Sequence, residues 1–199
     1  MNLEKILIGT NNGHKVREIQ EILDGFEFVT PQELGLNLDI EETGETFLEN
    51  AVIKAKAFSQ ASGLPALADD SGLVVDALNG APGVHSHRYS PKPNASDSDR
   101  RAFLLENLEN KERPWTARFC CAAVLYDSDS KELVSAIGKC EGVIIPDERG
   151  SGGFGYDPVF LIPDAGLTLA EMSEEQKNAI SHRGNAMRAL KENIKINWS

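Results

Sequence analysis

Cysteine is scarce in this chain. Three of its 199 residues are cysteine: Cys120, Cys121 and Cys140. An odd count closes no complete set of disulfides. Residues 120 and 121 of one strand point to opposite faces, so the three read as small buried apolar side chains of a reduced, cytoplasmic protein. No C-x-x-C pair offers a zinc site. Long apolar runs are missing too. Met1 to Ile8 holds too short a run for a signal peptide or a membrane span, and a soluble protein with no membrane partner is expected. There is no basic excess: 20 Lys and Arg stand against 31 Asp and Glu, a net charge of −11. That sign argues against nucleic acid as a partner, because a phosphate backbone requires a basic face. It leaves room for a small phosphorylated ligand held by a few local cations and a metal. Internal repeats, low-complexity tracts and a clear linker are also absent.

What is present is an ordinary globular composition, 41% hydrophobic and 26% charged. The length buries a substantial core in one domain or two tightly joined lobes. Apolar spacing predicts a strand at 5–9 and a helix through about Leu23, with Val16, Ile19, Ile22 and Leu23 on one face. A strand follows at 26–30, then a long helix from Thr46 to Ser62, stopped by Gly63. Phe47, Ala51, Ala55 and Phe58 form its apolar face. Residues 65–78 read as strand, acidic turn, strand. Residues 79–98, rich in Gly, Pro, Ser and Asn, read as loop, and a helix is expected from about Asp97 to Leu108. Two long strands are predicted at 115–126 and 132–145, around the turn 127–130. A glycine-rich loop at 150–155 and a short strand at 159–162 follow. Ser173-Glu174-Glu175-Gln176 is a capping box, and a last helix runs from about Ser181 to Ile194. Strands and helices interleave, so the expected class is α/β or α+β with a mixed sheet.

Five segments carry candidate chemistry. In Leu67-Ala68-Asp69-Asp70-Ser71-Gly72-Leu73 two adjacent carboxylates at a sheet edge suit a hard divalent cation, since Mg²⁺ prefers one or two carboxylates plus water and phosphate; Asp, Ser and Gly are equally the residues of a polar turn. Thr10-Asn11-Asn12-Gly13-His14-Lys15 joins a strand to a helix N-terminus, where free N–H groups and the helix dipole favour phosphate. It matches neither the Walker pattern nor G-x-G-x-x-G, and an Asn-capped helix end explains it as well. In the acidic stretch from Glu41 to Asn50, Glu41 can complete a metal shell with Asp70, although acidic residues favour helix N-termini in any case. Gly150 to Pro158 sets Phe154 and Tyr156 in a glycine-rich loop, a surface for stacking a base or a hairpin with its aromatics in the core. Lys177 with Ser181-His182-Arg183 supplies donors for carbonyl or phosphate oxygens, or simply a solvated basic cap. All five fall at strand ends or helix starts, where α/β sheets place ligands. Together they fit a nucleoside triphosphate with Mg²⁺.

These motifs stand in the order found in one family. Thr10 to Lys15, Glu42-Thr43-Gly44-Glu45-Thr46-Phe47 with Asn50-Ala51 and Lys54-Ala55, Asp69 to Leu73, Gly80-Ala81-Pro82-Gly83-Val84, Gly153 to Pro158 and Ser181-His182-Arg183 carry the likeness. The chain resembles the inosine triphosphate pyrophosphatase family over about Ile6 to Leu190. The resemblance implies a single domain of two lobes over residues 1–199, a long mixed sheet flanked by helices, and an active-site cleft between the lobes. It implies Mg²⁺-dependent hydrolysis of ITP, dITP and XTP to the monophosphate and pyrophosphate by a cytoplasmic homodimer. Carried over, Thr10, Asn11, Asn12, Gly13, His14 and Lys15 bind the triphosphate. Glu41 and Asp70 hold Mg²⁺, Asp70 is the base toward water, and Asp69 supports them. Ser71 contacts substrate. Phe154, Gly155, Tyr156, Asp157, Lys177, His182 and Arg183 hold the base and sugar. Lys177 and Arg183 are suitable donors to O6, where an adenine amino group leaves buried donors unpaired. The first loop reads Thr-Asn-Asn where many relatives have Thr-Gly-Asn. His85 and His87 stand where Tyr and Ala are usual, and read either as a metal-binding pair or as exposed bystanders. Two rival functions are a nucleotide pyrophosphatase of other base preference and a purine nucleotide-binding protein without turnover.

Overall fold

Helix boundaries in this chain follow from local capping chemistry. A computed structural model describes residues 5–198. Its elements, in order, are β1 (Lys5–Ile8), α1 (Gly13–Ile22), β2 (Glu27–Val29), α2 (Phe47–Ser62), β3 (Ala66–Val75), α3 (Asp97–Leu108), β4 (Trp115–Tyr126), β5 (Leu133–Ile144), β6 (Phe160–Ile162), β7 (Leu167–Thr168), α4 (Glu174–Ile180) and α5 (His182–Trp198). Thr46 and Ser96 cap α2 and α3, each with a reciprocal carboxylate three residues on, and Ser173 caps α4 in the same way with Gln176. Such boxes satisfy two otherwise orphaned N–H groups at a helix start. Gly63 ends α2 in the left-handed region at φ 68°, as glycine readily does. Among the described residues, no helix is long and apolar enough to cross a membrane.

The strands form one seven-stranded sheet in the order β2-β1-β3-β4-β5-β6-β7. β1 runs parallel to β2 and to β3, with Leu7 opposite Ala66 and Ile8 opposite Leu67. β5–β6 and β6–β7 are antiparallel, so the sheet is mixed and the class is α/β. The helical connections α1 and α2 are what parallel neighbours require. The two-residue strand β7 and a 3₁₀ turn at Asp157–Val159 lie in stretches too short for a periodicity to register.

Chain contacts divide the molecule into two units. One comprises the chain up to Ser71, Cys121–Gly138 and the chain from His182 onward. Its core has two parts. Ile6, Ile8, Ile19, Leu67, Cys121, Leu125, Met187 and Leu190 pack together where α1 and α5 lie. Ala51, Ala55, Ala68, Ala122 and Val124 pack under α2. Small residues here bring α2 close to the sheet. α5 is seated as closely: a Cβ on Gly138 of β5 would lie 2.2 Å from the His182 carbonyl and 2.3 Å from the Ala186 nitrogen. The other unit comprises Gly72–Cys120 and Lys139–Ser181. Leu73, Val75, Leu104, Leu108, Phe119, Phe160 and Leu169 form its core. Each fully buried Leu, Ile or Phe contributes about 1.5–3 kcal/mol.

One local expectation is corrected. The acidic turn expected at Asp69–Gly72 is absent, and β3 continues unbroken from Ala66 to Val75. Turn propensity at Asp-Asp-Ser-Gly yields because both carboxylates find buried partners on helices packed against the sheet. Strand periodicity sends alternate residues to opposite faces. Leu67 joins the α1/α5 side and Ala68 the α2 side, so Asp69 follows Leu67 and Asp70 follows Ala68.

Candidate active site

The loop after β1 is shaped by its own side chains. Asn12 has extended backbone and caps α1; its Oδ1 accepts the N–H groups of His14 (3.0 Å) and Lys15 (3.4 Å). Thr10 Oγ1 accepts the Asn12 N–H at 3.2 Å. Asn11 and His14 are exposed, and Gly13 is the first residue of the helix. Lys15, in the first turn of α1, lays its ammonium 3.0 Å from Asp69 Oδ2.

Asp69 is fully buried and heavily paired on one side. Its Oδ2 accepts from Arg183 Nε (3.2 Å) and Nη2 (3.1 Å), and Cys121 Sγ lies 3.7 Å away. Arg183, 1% exposed, also donates through Nη2 to Ser71 Oγ at 2.9 Å and through Nη1 to Glu18 Oε2. Burial pushes the Asp69 carboxyl up, but Lys15, Arg183 and Lys54 overcome it and hold the group far below the usual carboxylate range. Burial is likewise opposed at Arg183, where Asp69 and Glu18 drive the guanidinium further toward its charged form. Burial and the adjacent Asp69 charge push the Cys121 thiol well up, so it is a neutral neighbour. Two cations and two carboxylates thus close a nearly neutral buried network, the condition under which buried charge is tolerated. Asp69 Oδ1 is buried without a hydrogen-bond partner.

Asp70 has a different environment. Asn50 Nδ2 donates to its Oδ2 at 3.2 Å, and Lys54 Nζ reaches its Oδ1 at 3.4 Å. Lys54 also pairs with Glu42 at 2.6 Å. Asn50 and Lys54 are four residues apart and share a face of α2. Asn50 ties the acidic segment down as well, since its Oδ1 accepts the Gly44 N–H at 2.8 Å. A Cβ at Gly44 would sit 2.7 Å from that oxygen, so glycine is needed there. Burial raises the Asp70 carboxyl above its ordinary value; Lys54 and Lys15 oppose this, and the nearby Glu42 charge adds to it. Burial lowers Lys54, yet Asp70, Asp69 and Glu42 leave its ammonium more firmly protonated than usual.

In the other unit, the loop after β5 is built around Asp157. Its Oδ2 accepts the Phe154 N–H and the Lys177 ammonium, both at 2.8 Å. Lys177 Nζ lies 4.7 Å from the Phe154 ring centroid, within cation–π range. Gly153, at φ 68°, passes so close that a Cβ would meet Asp157 Oδ2 at 2.2 Å. Lys177 is 5% exposed and Asp157 3%. Tyr156 is a core residue, its hydroxyl donating to the Ser86 carbonyl at 2.8 Å. That leaves Phe154 as the half-buried aromatic of the loop.

The residues singled out from sequence therefore fall into two sets. Thr10 to Lys15, Asp69, Asp70, Ser71 and Arg183 share one unit, where Lys15 and Ser71 are linked through Asp69 and Arg183. His182, also there, is buried. Phe154 to Asp157 and Lys177 form the second set. Glu41 is exposed, while Glu42 is the acidic residue joined through Lys54 to Asp70. His85 and His87 are exposed on a 3₁₀ turn, and Arg88 Nε donates to His85 Nδ1 at 3.2 Å. Among the described residues, no three His, Cys, Asp or Glu side chains converge as a metal cage. Asn50, Lys54 and Glu18 were not assigned as site residues from sequence. Asn50 and Lys54 stand in the motifs that carry the resemblance and are a four-residue pair on α2; the signal for Glu18 is its place three residues after Lys15 on α1.

Comparison with known proteins adds independent findings. The model of the Ham1 family matches residues 6–193. A dITP/XTP pyrophosphatase of Geobacter sulfurreducens is 46% identical over 197 residues, covering 96% of this chain and 97% of that protein. One of Methylococcus capsulatus is 50% identical over 190 residues, covering 94% of each. Among solved structures, a Ham1 protein from Coxiella burnetii aligns with a TM-score of 0.87 at 43% identity, over 96% of this chain and 98% of that one. The Staphylococcus aureus Ham1 protein aligns with a TM-score of 0.86 at 38% identity, over 97% and 99%.

Proposed function

The chain belongs to the Ham1 family, and on that premise we propose that it is a nucleoside triphosphate pyrophosphatase. Its substrates are the non-standard purine nucleotides dITP, XTP and ITP, and its products the nucleoside monophosphate and pyrophosphate. Near-full-length identity to proteins named dITP/XTP pyrophosphatase supports the reaction. The observation that carries the mechanism is Asp70, a buried carboxylate with raised proton affinity, held by Asn50 and Lys54.

That environment suits a general base. Burial raises the proton affinity of the carboxylate, which favours taking a proton from water. Asn50 and Lys54 fix its orientation. The water oxygen forms the new bond to phosphorus, its proton passes to Asp70, and the phosphoanhydride to pyrophosphate breaks. Thr10 to Lys15 are assigned to the triphosphate, Lys15 by its ammonium and the start of α1 by its dipole, since the Asn12, His14 and Lys15 N–H groups are held by the Thr10 and Asn12 side chains; Lys15 then exchanges Asp69 for the substrate. Ser71 is assigned to the same substrate.

The donor set also fits a hard divalent cation. It consists of carboxylate oxygens, and burial and Glu42 disfavour the charged form of Asp70, a cost that a bound cation offsets. A site with few protein ligands, completed by water and phosphate, is the mode of Mg²⁺ rather than of a closed cage. Glu41 and Asp70 would hold Mg²⁺, with Asp69 supporting them. When bound, the ion neutralises phosphate charge in the transition state.

Phe154, Gly155, Tyr156 and Asp157 are assigned to the base and sugar, Phe154 by its ring and Tyr156 by backbone. Lys177 donates to O6. His182 and Arg183 belong to the same assignment. A homodimer, as the resemblance implies, is part of this reading. Product analysis of ITP hydrolysis tests it: IMP with pyrophosphate is expected, and IDP with phosphate contradicts it.

A further inference from the structure

The glycine-rich loop is gripped from a direction the assigned residues do not explain. Gly155 follows Phe154 and adopts φ 62°. Both polar groups of its backbone are held by α3. Asp97 Oδ2 accepts the Gly155 N–H at 2.8 Å, and Arg101 Nη1 donates to the Gly155 carbonyl at 2.8 Å. Asp97 and Arg101 are four residues apart in the first turns of α3, so they project from one face.

Each gripping side chain is itself fixed. Arg101 forks onto Glu148, with Nε–Oε1 and Nη2–Oε2 both 2.9 Å. Its side chain is 12% exposed. Asp97 Oδ1 is bound by Arg100, whose Nη1 is anchored on the Ala95 carbonyl at 2.6 Å. A bidentate Arg–carboxylate pair and a charged acceptor on a backbone N–H are among the stronger and more directional hydrogen bonds. The adjacent Phe154 N–H is held by Asp157, and the Phe154 ring lies beside Lys177. Three consecutive peptide units are thus pinned, with Phe154 at the joint of the first two.

We propose that Asp97 and Arg101 are positioning residues for base selection: by clamping the Gly155 peptide they hold Phe154 and Lys177 in register for the purine. This rests on the reading that Phe154 and Lys177 meet the base. The clamp touches neither Asp70 nor Lys54, so its loss acts on base binding and discrimination, not on the proton transfer.

The test is steady-state kinetics of Asp97→Ala, Asp97→Asn, Arg101→Ala and Lys177→Ala on ITP and ATP, with melting temperatures alongside. Asp97→Ala and Arg101→Ala are expected to raise KM for ITP by about tenfold or more, the scale of a lost hydrogen bond to a charged group. They lower the ITP-to-ATP ratio of kcat/KM and leave kcat on ITP within about twofold. Asp97→Asn keeps an acceptor for the Gly155 N–H and restores most of the KM; a purely structural role does not produce that rescue together with an unchanged kcat. Wild-type KM and selectivity in both alanine variants, with Lys177→Ala altering selectivity, overturn the clamp alone. Loss of kcat and melting temperature at unchanged KM overturns it too. Unchanged selectivity in Lys177→Ala means that the base assignment has failed, and the clamp's role in selection falls with it.

Discussion

Asp69 and Asp70 are adjacent in β3 and face opposite sides of the sheet. Asp69 meets Lys15 at 3.0 Å and Arg183 at 3.1 Å; Asp70 meets Asn50 at 3.2 Å and Lys54 at 3.4 Å. Their proton affinities move in opposite directions for that reason. Asp69 is surrounded by cations and stays ionised, whereas Asp70 is governed by burial. One step along a strand therefore separates a carboxylate kept ionised by cations from one whose proton affinity burial raises.

Replacing Asp70 by Asn is expected to reduce kcat on ITP by about 10²–10⁴-fold, the usual contribution of a general base. The fold should not suffer. A raised folded-state value means that the ionised carboxylate costs stability above that value, a cost that disappears on protonation or on substitution by a neutral amide. The melting temperature at pH 7 is therefore expected to equal or exceed that of the wild type. Near-normal turnover removes Asp70 from the mechanism.

Asp69→Ala should behave in the opposite way. It removes from buried Arg183 a carboxylate that it meets through both Nε and Nη2, and breaking such a pair costs about 3–5 kcal/mol. Urea unfolding at pH 7 measures this. The depressed folded-state value of Asp69 contributes stability that is present above the ordinary carboxylate value near pH 4 and lost as pH falls below it. Asp69→Asn should therefore flatten the acid limb of the stability curve. An acid limb identical to that of the wild type contradicts the assignment.

The same pair shows what the sequence could and could not reveal. Helix ends were legible because Thr46, Gly63, Ser96 and Ser173 act through local bonds. The candidate segments stand out because they sit between periodic runs. The course of β3 was not, because Asp-Asp-Ser-Gly favours a turn locally. Only the arrival of Lys15, Arg183, Asn50 and Lys54 from residues distant in sequence makes an extended strand with buried carboxylates stable. Tyr156 was ambiguous for a similar reason: nothing local says that its hydroxyl reaches Ser86, 70 residues away. Arg183 looked like a free donor beside His182, and its engagement by Glu18 follows from the packing of α1 and α5.

Two glycines of one loop should respond differently to alanine. Gly153→Ala combines a positive φ with a Cβ 2.2 Å from Asp157 Oδ2, whereas Gly155→Ala meets open space and pays only for its φ. The second cost is about 1–2 kcal/mol. Gly153→Ala should lose more stability and raise KM for ITP further, because Asp157 holds both Phe154 and Lys177. Melting curves and KM values for the two variants check the order; equal effects contradict it.

Lys177→Ala should narrow the preference for ITP over ATP more than it lowers kcat on ITP. A site that donates to O6 rejects an amino group because the buried donor is left unpaired. Comparing kcat/KM for the two nucleotides gives the answer, and an unchanged ratio refutes the role of Lys177.

The most direct test of the account is pyrophosphate release from ITP, XTP, dITP, ATP and GTP, with and without Mg²⁺. Fast Mg²⁺-dependent release from ITP, XTP and dITP, with ATP and GTP nearly untouched, is the expected result. Equal release from all five, or none from any, contradicts the base assignment in the first case and the proposed chemistry in the second.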